Sequence, residues 1–121
     1  MENVSDVHKE ESIKSLQSTI RKLESALSQM TQKGSNTTLV KKRLKAVCIG
    51  LAMLESVWNQ KPHPYNQDDL AEARTVLTGL LPSIEKAYVK SKAGSPQRTL
   101  LERRIKSLEL AIQAIDNTSN E

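Results

Sequence analysis

IKSLQSTIRKLESALSQM, residues 13 to 30, places Ile13, Leu16, Ile20, Leu23, Leu27 and Met30 at alternating spacings of three and four residues. Side chains three and four apart share one face of an α-helix, whereas a strand would repeat them at every second position. The stretch reads as a helix with one apolar stripe, and such a stripe is stable only when other elements cover it. The rest of the chain supplies the cover. Val40, Leu44, Val47, Leu51, Leu54 and Trp58 repeat the pattern, widened by Ile49 and Met53. Leu70, Ala73, Leu77, Leu80, Ile84 and Ala87 form a third stripe, and Leu101, Ile105, Leu108, Ile112 and Ile115 a fourth.

Helix start and stop signals separate the four. Ser5 is placed to cap the first helix and Gly34 to stop it, and Asn36 or Thr37 opens the second. That helix must end near Gln60, because Pro62 and Pro64 follow and neither fits a helix interior. Asn66 opens the third, with Asp68 and Asp69 in the first turn, where negative charge is favoured. Gly94, Ser95 and Pro96 make the entry to the fourth, with proline at the first helical position. Pro82 stands inside the third stripe, yet the apolar phase runs through it without a slip, so the pattern predicts one helix kinked at Pro82 and not two. The expectation is a single all-α domain over residues 1–121, with helices at about 6–33, 37–60, 67–92 and 96–117 and polar tails at both ends. Short connections favour antiparallel neighbours, hence an up-down-up-down four-helix bundle.

Composition narrows the function classes. A chain of 121 residues can bury one core without a staple, and its single Cys48 forms no internal disulfide, so it reads as an inert core thiol in a reducing compartment. No apolar run approaches the roughly 20 residues needed to span a bilayer, and the start MENVSDVHKEES is unlike a signal peptide. A cytoplasmic protein with no membrane insertion is expected. His8 and His63 lie far apart, no Glu-x-x-His pattern occurs, and the four glycines are scattered singly. No catalytic, metal-binding or cofactor-binding constellation is expected, and the chain reads as a non-enzyme.

The charges point further. The net charge is +4 with neutral histidines, and in an up-down-up-down bundle most of the cations fall at one pole. LVKKRLKAVC, residues 39 to 48, puts Lys41, Lys42, Arg43 and Lys45 at a helix start that is already positive, where each cation costs about 0.3 to 1 kcal/mol. With Lys90, Arg98, Arg103 and Arg104 they make a predicted basic pole that suits an acidic partner protein, and the chain reads as a small regulatory or protein-interaction module. Reversing Lys42, Arg43, Arg103 and Arg104 to Glu is expected to leave the fold intact, since a dipole penalty is removed. The same cations would serve nucleic-acid phosphates with little sequence specificity, and self-association, with basic and acidic poles meeting between molecules or the first stripe pairing across a homodimer, is a third reading. Solvated surface cations are the plain alternative to all three. VWNQKPHPYN, residues 57 to 66, brings Trp58, His63 and Tyr65 together as a second interface, or as a plug for the end of the core.

Overall fold

A computed structural model describes residues 3–119. All regular structure among them is helical: α1 Asp6–Gln32, α2 Thr38–Asn59, α3 Gln67–Lys90 and α4 Pro96–Ser119. The helix ends follow the capping chemistry. Ser5 Oγ accepts the N–H of His8, Asn66 and Asp69 close a reciprocal capping box, and Ser95 Oγ accepts the N–H of Arg98 beside Pro96. Gly34, with φ of 71°, lets the Ser35 N–H reach back to the Met30 carbonyl and satisfy the last turn of α1. At the start of α2 the Thr37 side chain makes no cap bond, and Asn36 Oδ1 accepts the Thr38 N–H at 2.9 Å instead. α3 passes through Pro82 as one helix, with the proline exposed.

α2 and α4 form the inner pair. Each touches all the other helices, while α1 and α3 make no contact with each other. Gly50 is what lets the inner pair close: a Cβ there would stand 3.1 Å from the Ala111 Cβ and 3.3 Å from Leu77 Cδ1. Around this point Val47, Ile49, Met53 and Leu54 of α2 are buried against Leu108, Leu110, Ala111 and Ala114 of α4, with Leu70, Ala73 and Leu77 of α3 completing the centre. The α1 stripe is only half used. Leu16 is fully buried, Ile20 and Leu23 pack at the edge, and Ser12 and Ser15 are buried instead of larger residues. Those serines admit α4, whose Ser107 hydroxyl lies 3.4 Å from Ser15 Oγ and donates to the Arg104 carbonyl at 2.8 Å.

The directions of the helices correct the expected order. Between α1 and α4, Glu11 meets Arg103 and Ser15 meets Ser107, so the two helices run in the same sense. Between α2 and α3, Lys45 meets Asp69 and Gly50 faces Leu77, which is again the same sense. Opposite sense holds between α3 and α4, where Arg74 pairs with Asp116 and Arg98 with Tyr88. The order is therefore up, down, down, up, and not up-down-up-down. The cause is the segment 60–66, which crosses back along the molecule instead of turning. From the level of Asn59 to that of Lys45 is about 21 Å along the helix, and seven residues reach at most about 23 Å, with Gln60 in the left-handed conformation at the start. Pro62 and Pro64 favour extended backbone on both sides of His63. Trp58 and Tyr65 pack on the core at either end of the segment, and Lys61 Nζ reaches Glu55 at 3.0 Å, which fastens it.

Candidate functional site

This connectivity divides the predicted basic pole. Lys41, Lys42, Arg43 and Lys45 lie at one end of the molecule, with the acidic start of α3. Lys90, Arg98, Arg103 and Arg104 lie towards the other, beside the start of α1. The first turn of α2 and the last turn of α3 stand about 33 Å apart, the length of the 22-residue α2. No single pole collects the eight side chains.

Three of the eight make contacts within the fold, and a fourth is turned inward. Lys45 Nζ lies 3.4 Å from Asp69. Arg98 Nη1 donates to the carbonyls of Ser91 at 2.9 Å and Tyr88 at 3.3 Å, with the guanidinium 4.2 Å over the Tyr88 ring, so it clamps the α3–α4 turn. Arg103 Nη2 lies 3.4 Å from Glu11. Arg104 turns inward: its Nε and Nη2 are shut off from solvent without a hydrogen-bond partner among the described residues, and burial lowers its pKa. The remaining four, Lys41, Lys42, Arg43 and Lys90, are exposed and make no ion pair among the described residues. Lys42 borders a small cleft with Asp69 and Glu72, while Lys41 and Arg43 stand outside it.

The chain matches no family model, no curated protein and no solved structure.

Two aliphatic residues outside the predicted sites belong beside these cations. Leu39, 58 % exposed, adjoins Lys41, Lys42 and Arg43, and Val89, 75 % exposed, stands between Lys86 and Lys90. Each falls off its helix's stripe, Leu39 one residue before Val40 and Val89 two residues after Ala87. That offset was the signal available in the sequence.

Trp58, His63 and Tyr65, the predicted second interface, are each half-buried. Trp58 and Tyr65 pack against the core, with the Lys9 ammonium 5.7 Å from the Trp58 ring centre. The His63 ring stacks on Tyr65 with centroids 6.2 Å apart, and its Nδ1 accepts the Tyr65 N–H at 3.2 Å. These three side chains anchor the crossover. Cys48 is half-buried; that burial, and then the charge of Glu24, raise its pKa and disfavour the thiolate. Among the described residues no three His, Cys, Asp or Glu side chains converge to hold a metal ion, and no helix is long and apolar enough to cross a membrane. A groove of about 550 Å³ along the outer face of α4 is bordered by Glu11, Glu102 and Glu109 as well as Arg103 and Lys106, so it presents no field of one sign.

Proposed function

We propose that the chain is a small non-catalytic interaction protein whose working surface is the first turn of α2, where Lys41, Lys42 and Arg43 receive an acidic protein partner. One observation carries the reading. Three exposed cations, none in an ion pair among the described residues, stand together on a helix whose first turn has no acidic residue and whose Thr37 side chain makes no cap bond, Asn36 Oδ1 accepting the Thr38 N–H instead. The helix dipole and the three side chains act in the same direction, and the cost of about 0.3 to 1 kcal/mol per cation is relieved when an anion docks. With a Debye length near 8 Å in physiological salt, the surface steers partners at short range and then fixes register by contact. Leu39 favours a protein partner over nucleic acid, because an apolar side chain finds a match among protein residues and none on a phosphate backbone.

The bend of α3 belongs to the same proposal. Pro82 lacks the N–H that would meet the Thr78 carbonyl, and its ring crowds that turn, so the last turns of α3 lean away from the axis of the first. Residual dipolar couplings that fit one straight helix across Pro82 would remove this part.

The test of function is fluorescence anisotropy with a labelled acidic peptide and, separately, a mixed DNA and RNA oligonucleotide pool, at low and physiological salt. Peptide binding that weakens roughly tenfold or more in the K41E/K42E/R43E variant is expected, with helicity unchanged because these side chains hold nothing in the fold. Binding of oligonucleotides alone would give the surface to nucleic acid. Equal peptide binding by the variant would remove it from consideration.

A further inference from the structure

The last turns of α3 repeat the arrangement at the first turn of α2. On the outer face of α3, Val89 is 75 % exposed between Lys86 and Lys90, and Lys92 follows just past the helix end. None of the three lysines makes an ion pair among the described residues. Beside them Pro82, Ser83 and Glu85 border a shallow depression of about 630 Å³. At the opposite end Leu39, 58 % exposed, stands among Lys41, Lys42 and Arg43. Two of the large aliphatic side chains left outside the core thus lie among its unpaired cations, one at each end.

The pairing selects a chemistry. An aliphatic side chain ringed by free ammonium groups complements a helix that carries apolar residues among carboxylates, since both the charge and the apolar surface then find a match. A phosphate backbone would use the cations and leave Leu39 and Val89 idle. The α2–α3 pair runs in one sense, so it holds the two surfaces about 33 Å apart. That is several times the Debye length of about 8 Å, and an anion at one end therefore leaves the field at the other intact.

We propose that the protein is a two-ended bridge: each end takes one acidic, aliphatic-bearing peptide segment, so a single chain joins two acidic partners. The bridge rests on the α2 surface proposed above, and adds the second surface of Lys86, Val89, Lys90 and Lys92.

An acidic helical peptide built from Glu, Leu and Ala repeats serves as the probe, one batch carrying a donor dye and one an acceptor. Titration of the full chain with this mixture should give two peptides per chain by calorimetry, and energy transfer between dyes held on one molecule. K86E/K90E/K92E should leave one peptide per chain and abolish transfer, with the affinity of the α2 end unchanged. K41E/K42E/R43E should do the converse. Val89→Asn and Leu39→Asn, which remove apolar surface without adding charge, should each weaken its own end roughly tenfold, because the partner is read by its apolar residues as well as its charge. One peptide per chain, lost only in K41E/K42E/R43E, would overturn the bridge and leave the α2 surface standing. One peptide lost only in K86E/K90E/K92E would overturn both, and so would stoichiometry that neither variant changes. Charge variants that abolish binding while Val89→Asn and Leu39→Asn do nothing would overturn the acidic-peptide assignment in favour of a polyanion such as nucleic acid.

Discussion

Arg103 and Arg104 are neighbours in sequence, but about 100° of helical rotation separates them. Arg103 stays at the surface beside Glu11, whereas Arg104 points inward with Nε and Nη2 buried and unpaired among the described residues. Leaving buried donors unmade costs about 1 to 3 kcal/mol, and a thioether of similar length has none to leave. Arg104→Met is therefore expected to raise stability by about 1 kcal/mol in urea unfolding with the m-value unchanged. A loss of about 2 kcal/mol or more would mean that the guanidinium finds a partner in solution. The joint reversal of Lys42, Arg43, Arg103 and Arg104 to Glu, expected from the sequence to be harmless, combines two unlike pairs. The first two hold nothing, but Glu at 103 would face Glu11 and Glu at 104 would bury a carboxylate. The orientation of Arg104 was legible, since it lies in phase with Leu101 and Leu108 on the apolar stripe; counting its charge hid its place in the period.

Helix identity and helix ends were legible because both are local. The period of each stripe, the caps Ser5, Asn66 and Ser95, and the stops at Gly34 and Gln60 act within a few residues of themselves. How deeply each stripe is buried was not, because that depends on how the facing helix seats against it. α1 and α3 each pack on α2 and α4 alone, yet α3 buries Leu70, Ala73 and Leu77, whereas α1 buries Leu16 of its stripe and turns Ser12 and Ser15 inward. Gly50 is the clearest case of a local rule overruled by packing. Alanine would favour the helix by about 1 kcal/mol, but its Cβ would press on the Ala111 Cβ, which is fixed to its own backbone, and overpacking costs about 1 to 3 kcal/mol. Gly50→Ala should lose about 1 kcal/mol net in chemical denaturation, and adding Ala111→Gly should make the double variant more stable than the two separate effects sum to. A gain from Gly50→Ala alone would show that α2 and α4 part freely.

At the scale of the whole molecule, direction was the property the sequence concealed. Seven residues between two helices are enough either to turn or to cross, and nothing in KPHPYN distinguishes the two until Trp58 and Tyr65 are seen packed on the core. The span itself is testable. Deleting Lys61 and Pro62 leaves about 17 Å of reach against a return of about 21 Å, and the variant is expected to lose cooperative thermal unfolding, whereas inserting Gly-Ser at the same point should cost less than about 1 kcal/mol. A deletion that melts like the parent would sink the crossover. The same strap sets the order of assembly. Each hairpin, α1–α2 and α3–α4, closes over a few residues, but the inner contact joins Gly50 to Ala111 about sixty residues away, and that longer closure carries the larger entropic cost. The hairpins are thus expected to form first, with their docking along the Gly50 seam as the later step.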